Sequence, residues 1–307
     1  MGAGTSENRA AQREIIEGER MNQRRSMFLL AVLVLGFAFL YIPILSVVAY
    51  SFNESKLVTV WGGFSTKWYG ILFDDRQMLE GVWLSLRIAT VTATGAVIFG
   101  TLAGLVLARF GRFKGRVTLA GMVTAPLVMP EVITGLSLLL LFVAFADLPM
   151  FPGQRGFSTI VIAHITLTMS YVTVVVQSRL STMDESLEEA AMDLGARPSK
   201  VFLVITLPII APAIVSGWLL AFTLSLDDLV IASFAAGPST NTLPMMIFSK
   251  VRLGVTPEIN ALATLMVSTV TVFVIAAGIL MARQEKTRQR DAQMAAATAG
   301  VVPGASS

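Results

Sequence analysis

Residues 181–208, STMDESLEEAAMDLGARPSKVFLVITLP, form the longest charged interval between two strongly apolar segments of the chain. The pattern predicts two short helices that meet at Gly195, because glycine tolerates the left-handed conformation that often ends a helix. Pro198 suits the first turn of the second helix. Thr182 and Glu185 have the spacing of a capping box, which predicts where the first helix begins.

The first of these helices is expected over 184–195, and its side chains separate into two faces. Leu187, Ala190, Ala191 and Leu194 recur at i, i+3, i+4 and i+7, which places them on one side of a helix. Glutamates fill the first turns, where the helix dipole favours negative charge. We therefore expect a short amphipathic helix at the membrane surface, with a flat, alanine-rich face that another protein can grip.

The composition is that of a membrane protein. The chain is 54% hydrophobic and 14% charged, whereas about a quarter of the residues of a soluble domain are charged. It has no cysteine and a single histidine, His164, so neither a disulfide framework nor a typical zinc site is expected. The net charge of +3 comes from loops and tails, and we do not expect nucleic-acid binding.

Six apolar runs are long enough to cross a bilayer, which takes about 20 helical residues. They cover approximately 27–50, 85–108, 117–146, 157–177, 209–235 and 259–281. The predicted fold class is all-α, a polytopic membrane protein with six transmembrane helices. Its predicted parts are an N-terminal tail (1–26), a membrane domain (27–282) that includes the charged loop 178–208, and a partly disordered C-terminal tail (283–307).

The distribution of Lys and Arg predicts the orientation. The two tails, the turn after the second run and the loop 178–208 together hold 16 of these residues, and the three other loops hold 6 over a similar total length. Because positive charge is enriched in cytoplasmic loops, both termini and the loop 178–208 are predicted to be cytoplasmic.

No nucleotide-binding or catalytic motif occurs in the chain. It has no Gly-x-x-x-x-Gly-Lys-[Ser/Thr] sequence, no serine-hydrolase elbow and no HExxH pattern. An enzyme is therefore not predicted. If ATP drives transport, the ATPase must be a separate chain.

Three carboxylates fall inside the predicted spans, where ionisable side chains are rare. Glu131 lies 14 residues into the third run, near mid-membrane, and Pro126 and Pro130 predict a kink or break just before it. Asp227 and Asp228 lie in the outer half of the fifth run. As neighbours on a helix they point about 100° apart, so at most one is expected to face a pore.

Two interpretations of these acids remain open. In the first, Glu131, Asp227 and Asp228 line a path for a cationic substrate, since unpaired carboxylates in a membrane require a cation, a proton or a hydrogen-bond donor. In the second, each is hydrogen-bonded to another helix, to Arg87, to His164 or to a partner subunit. His164 itself is more typical of a helix–helix hydrogen bond than of a ligand site.

The charged loop resembles a known motif. Glu189-Ala190-Ala191, then Gly195 after three residues and Ile205-x-Leu207-Pro208 after nine more, is similar to the EAA motif of bacterial ABC importer permeases. The resemblance implies the type I ABC importer permease fold, with the loop helix as a coupling helix that docks in a cleft of a cytoplasmic ATPase subunit. It assigns that contact to Leu187, Glu188, Glu189, Ala190, Ala191, Asp193, Leu194 and Gly195.

Other segments resemble the permeases of polyamine importers. They are residues 51–53, 57–61, 125–135, 216–231 and 257–261, and the resemblance runs from about residue 27 to 290. It implies a heterodimer with a sister permease, two ATPase subunits, a periplasmic polyamine-binding protein, and putrescine or spermidine as substrate. It also implies a lipid-embedded, multi-pass protein of the bacterial inner membrane, with no cofactor in this chain and with ATP and Mg²⁺ in the ATPase subunits.

Two other classes of function remain as alternatives. A secondary transporter or channel for small cations would use Glu131 and Asp227 as proton or cation sites, although it has no need of an ATPase-docking helix. A structural or signalling subunit without a pathway is disfavoured by the acidic residues within the spans.

Overall fold

The computed structural model describes residues 4–57, 60–149, 151–254 and 256–272 and the single residues 275, 279 and 294, with side chains from residue 27 onward. These residues are mainly helical. The helices are α1 (Gly4–Ser51), α2 (Lys67–Asp74), α3 (Arg76–Arg109), α4 (Arg116–Val128), α5 (Glu131–Ala144), α6 (Phe157–Thr182), α7 (Ser186–Asp193), α8 (Pro198–Val201), α9 (Leu207–Asp227), α10 (Val230–Ala235), α11 (Leu243–Leu253) and α12 (257–272). A π-helical turn, Phe202–Thr206, connects α8 to α9.

Four stretches of the described chain are long and apolar enough to cross a membrane. They are Met27–Ser51 of α1, all of α3, all of α6, and Pro198–Asp227, which contains α8, the π turn and α9. The pair α4 and α5 makes a fifth span if it is counted as one. The predicted sixth span, 259–281, lies only partly within the described residues and the tail 283–307 almost entirely outside them, so the count of six stays a prediction.

The third predicted span is broken at Pro130, as the sequence predicted, whereas the break expected at Pro126 is absent. α4 continues through Pro126 and ends at Val128, Met129 is extended, and α5 begins directly after Pro130. Proline has no N–H to continue the helical ladder and disfavours helical geometry at the residue before it. The axes of α4 and α5 meet at 117°, a far sharper bend than a kink within one helix.

The packing of residues 75–254 is organised around α6, which contacts α3 and α9. Small residues allow this approach. A Cβ atom on Gly100 of α3 would lie 2.8 Å from Cβ of Val172 in α6, and one on Gly217 of α9 would lie 3.3 Å from Cγ1 of the same valine. Small residues at helix contacts are typical of membrane proteins, where packing rather than water exclusion favours helix association.

The second compact unit comprises residues 1–74 and 255–307. In its described part, the loop after α1 is fixed by Asn53, whose side chain donates to the carbonyl of Val60 (2.8 Å) and accepts from the N–H of Gly62 (2.8 Å). The indole of Trp68 in α2 donates to the carbonyl of Asn53 (2.7 Å). These bonds satisfy polar groups that an irregular loop would otherwise leave unpaired.

Several helix boundaries differ from the predicted spans. α3 begins at Arg76 rather than near 85, because the Asp75 side chain accepts the Met78 N–H and caps a polar first turn. α6 continues to Thr182, beyond the predicted end at 177. α9 stops at Asp227, not at 235, and the remaining residues form the separate helix α10.

Candidate functional site

The helix α7 lies in the middle of the charged loop and ends as the sequence predicted. Gly195 has φ +84°, the left-handed conformation that favours glycine. The N–H of Gly195 donates to Met192 O (2.8 Å) and the N–H of Ala196 to Ala191 O (3.1 Å), which is a Schellman motif. Pro198 then occupies the start of α8, which confirms the second half of the prediction.

The predicted capping box at the start of this helix is wrong. Thr182 still belongs to α6, and its hydroxyl donates to the carbonyl of Arg179 (2.9 Å) rather than capping α7. Asp184 provides the local bond instead, because its carboxylate accepts the N–H of Ser186 (3.0 Å). That backbone hydrogen bond lowers the pKa of Asp184 below its ordinary value.

Most of α7 is exposed, and we call its exposed side the outward face of the helix. Leu187 is 50% exposed and Leu194 is 91% exposed, and Glu189 and Ala190 are also exposed. Ala191 is half-buried. Because Leu187 and Leu194 are seven positions apart, they lie on the same side of the helix, where they provide exposed apolar surface for a contact.

The opposite face of α7 is held by an ion-pair network. Nε of Arg109, the last residue of α3, lies 2.9 Å from Oε2 of Glu188, and Nη1 of the same arginine contacts Glu185 at 2.7 Å. The hydroxyl of Thr206 donates to Oε1 of Glu188 at 2.5 Å. Glu188 therefore points inward, whereas Glu189 points outward. Arg109 and Thr206 were not among the predicted site residues.

A cavity of about 360 Å³ lies behind α7, beside this network. Residues of α3, α8 and the π turn form most of its wall, and Arg109 and Glu188 line it as well. The inner face of α7 is therefore anchored at a few polar contacts rather than packed along its whole length.

The structure places two of the predicted path carboxylates at helix breaks. Glu131 is the first residue of α5, directly after the break at Pro130, and it is exposed. Asp227 is the last residue of α9, at the break before α10, and it is also exposed. Broken helices leave backbone carbonyls without intrahelical partners, which suits a polar lining.

Asp228 has a different environment. Its Oδ2 lies 3.1 Å from Nε2 of His164 and accepts the N–H of Ala232 (2.7 Å). His164 Nδ1 lies 2.7 Å from the hydroxyl of Ser225. The histidine ring thus has a hydrogen-bond partner at each nitrogen, a carboxylate at Nε2 and a hydroxyl at Nδ1. Ser225 was not predicted, because a single serine in an apolar helix carries no distinguishing pattern.

Residues 100–290 include the α4–α5 break, α7 and α9, and they match the family model of the binding-protein-dependent transport system inner membrane component. The chain belongs to this family. Its relatives among characterised proteins include two permeases of Escherichia coli (strain K12). The putrescine transport system permease protein PotI is 62% identical over 271 residues, 88% of this chain and 96% of PotI. The spermidine/putrescine transport system permease protein PotC is 40% identical over 82% of this chain and 92% of PotC.

Solved structures of the same architecture confirm the fold of this inner-membrane component. A bacterial ABC transporter involved in the import of the acidic polysaccharide alginate matches with a TM-score of 0.63 at 14% identity, over 84% of this chain and 96% of that chain. The MetNI methionine ABC transporter in an inward-facing conformation matches with a TM-score of 0.54 at 18% identity, over 67% of this chain and 95% of that chain. The all-α ABC importer permease fold is therefore shown.

Proposed function

We propose that this chain is a permease subunit of an ATP-driven polyamine importer of the bacterial inner membrane, with putrescine as the first candidate substrate. The observation that carries the proposal is the 62% identity to PotI, which extends over 96% of that protein. A relative of Haemophilus influenzae with the name spermidine/putrescine permease PotC, at 42% identity, supports polyamines as the substrate class.

In this proposal the outward face of α7 docks on a cytoplasmic ATPase subunit. The exposed side chains of Leu187 and Leu194 supply apolar contact area, and the Schellman motif at Gly195 fixes the direction in which the chain leaves the contact. ATP and Mg²⁺ are bound by two such subunits, so this chain hydrolyses nothing itself. A sister permease completes the pathway, a periplasmic binding protein delivers the polyamine, and both termini are cytoplasmic.

The proposed substrate path uses the two carboxylates at the helix breaks. Glu131 and Asp227 are exposed in the chain by itself, so each can face a shared pathway between two permeases. A diammonium substrate compensates two carboxylates that are costly to leave unpaired in a membrane. We assign Asp228 the supporting role of holding the α9–α10 break through His164, in place of the direct substrate contact that the sequence suggested.

Complementation of an Escherichia coli strain that lacks PotI and PotC tests this function. We expect this chain to restore uptake of radiolabelled putrescine, and an excess of spermidine measures the preference by competition. A chain that inserts in the membrane but restores no uptake, when PotI itself does, contradicts the proposal. Uptake that persists without the ATPase subunits would instead identify a secondary transporter.

A further inference from the structure

Three side chains connect α7 to two membrane helices. Arg109 ends α3, Glu188 lies on α7, and Thr206 lies at the end of the π turn that leads into α9. Glu188 contacts both of the others, at 2.9 Å and 2.5 Å. We call these three residues the Glu188 clamp.

The clamp is sheltered from solvent. The side chains of Arg109 and Glu188 are 12% and 14% exposed, and Thr206 is buried. Removing Arg109 leaves the sheltered Glu188 carboxylate without the cation that it contacts here, and removing Glu188 leaves the guanidinium with the carboxylate of Glu185 alone. Because a sheltered charge is costly without its partner, loss of either side chain is expected to loosen the contact between α7 and α3. Glu185 accepts a hydrogen bond from Nη1 of the same guanidinium at 2.7 Å, but its side chain is 62% exposed, so water screens this contact more than the contact with Glu188.

The backbone at Thr206 is irregular for a reason visible in the sequence. Pro208 has no N–H, so the carbonyl of Val204 has no helical donor at that position. The turn widens, and the N–H of Leu207 bonds to Phe202 O, five residues back. Such π-helical turns recur at functional positions. The hydroxyl of Thr206 meets α7 at this irregular turn.

The two membrane helices that the clamp reaches also share a contact elsewhere. Val172 of α6 packs against Gly100 of α3 and against Gly217 of α9. Because α3 and α9 are both seated on α6, a displacement applied at their ends nearest α7 acts on one packed group of helices.

We propose that Glu188 is a positioning residue, which transmits movement of α7 to α3 and α9 through Arg109 and Thr206. The inference rests on the proposed function and divides the predicted coupling residues between two tasks. Leu187, Glu189 and Leu194 face the ATPase, and Glu188 joins the same helix to the membrane domain.

The test uses the complete complex in proteoliposomes, with ATP hydrolysis and putrescine uptake measured in the same vesicles. The variants are Glu188→Gln, Arg109→Gln and Thr206→Val, and the matched control is Glu185→Gln. We expect Glu188→Gln to reduce putrescine transported per ATP by about tenfold, within the range of measured couplings between sites. Glu185→Gln should stay within about a factor of two of the wild type, because the Glu185 side chain is largely exposed and its ion pair is screened by water.

A double-mutant cycle separates the clamp from a general loss of folding. If Arg109 and Glu188 act through one contact, the double variant should be no worse than Glu188→Gln alone. Uptake and ATP hydrolysis that fall together, in proportion to the amount of assembled complex, would overturn the proposal. An unchanged amount of putrescine transported per ATP in Glu188→Gln would also overturn it.

Hydrogen exchange of residues 186–208 in the purified complex gives a readout that needs no substrate. We expect faster exchange in Glu188→Gln than in Glu185→Gln, and equal exchange rejects the clamp. If wild-type vesicles import no putrescine, the proposed substrate is wrong. The exchange comparison then still decides whether Glu188 holds α7.

Discussion

The imidazole Nε2 of His164 lies 3.1 Å from the carboxylate Oδ2 of Asp228, which joins α6 to the break between α9 and α10. The same carboxylate caps the first turn of α10 through the N–H of Ala232. Asp227, the adjacent residue, is exposed. Two neighbouring acids therefore have different environments: Asp228 lies among protein donors, and Asp227 is exposed.

The first prediction compares these two aspartates. Asp228→Ala removes the partner of a buried imidazole and of a backbone N–H, and we expect a loss of about 1–3 kcal/mol of stability. The thermal midpoint of the purified complex should fall. Asp227→Ala is the matched change at an exposed position and should leave the midpoint unchanged while it weakens putrescine uptake. Equal losses of stability would contradict the distinction between the two aspartates.

The second prediction concerns the end of α7. Gly195→Ala forces a side chain into a left-handed conformation at a cost of about 1–2 kcal/mol, although there is open space around it. Gly195→Pro is more severe, because the proline ring holds φ at a negative value and cannot adopt the positive φ of this position. We expect normal insertion but loss of substrate-stimulated ATP hydrolysis, most in the proline variant. Gly195→Asn should be milder, since asparagine tolerates this conformation.

Gly121 provides the control for that series. It lies in α4, also with open space around it, but has an ordinary helical conformation. Gly121→Ala should therefore leave the stimulation of ATP hydrolysis by substrate unchanged. If substrate stimulates ATP hydrolysis in Gly195→Pro as strongly as in the wild type, the geometry at the end of α7 has no part in coupling.

The third prediction concerns Glu131. Glu131→Gln keeps the size of the side chain but removes the charge that would attract an ammonium group at the α4–α5 break. We expect putrescine uptake to fall by a larger factor than the amount of assembled complex, which is measured by purification with the partner subunits. Wild-type uptake would assign this carboxylate to structure instead.

The fourth prediction concerns pH and Asp75, at the start of α3. Burial raises the pKa of Asp75, but hydrogen bonds from the Met78 N–H and the Lys250 ammonium outweigh it, so the pKa lies below 3.8. A lowered folded pKa contributes stability that is present above the unfolded value and is lost as the pH falls through the folded value. Because the pair is partly exposed, the contribution is at most about 1 kcal/mol.

Asp75→Asn tests this directly, because asparagine retains a capping oxygen without the charge. The gap in thermal midpoint between the wild type and this variant should be present at pH 7 and close below about pH 4. Asp74→Asn, at the exposed neighbour, is the control for removing a surface charge at this end of the helix. A gap that stays constant down to pH 3 would contradict the assignment.

Local sterics made part of the site predictable from sequence. Gly195 and Pro198 determine their own backbone conformations, and Pro130 has no donor with which to continue a helix, so these features follow from residue type. The 117° angle at the break does not follow, because proline ends a helix without fixing the direction of the next one. The failed capping box has a similar cause: α6 continued through Thr182 and left its hydroxyl bonded within that helix.

Contacts between distant residues were beyond sequence reasoning. Arg109 and Glu188 are 79 positions apart, and either could equally have been a solvated surface charge. His164 and Asp228 were possible partners among several, and only the packing of α6 against α9 brings them together. The early end of α9 has the same origin, since Asp228 leaves the helix to bind His164 and cap α10.

Cross-linking through α7 is the most direct test that it docks on an ATPase. The chain has no native cysteine, so Leu194→Cys and Leu187→Cys introduce single reactive positions on the outward face. Leu253→Cys is the control, because Leu253 ends α11, is about as exposed as Leu194 (88% against 91%), and lies between the fifth and sixth predicted spans on the side opposite the predicted cytoplasmic loops. We predict that the two α7 variants cross-link to the ATPase subunit in the assembled complex and that Leu253→Cys does not. Labelling of the α7 cysteines by an impermeant reagent from outside intact cells, with no cross-link to the ATPase, would contradict the account.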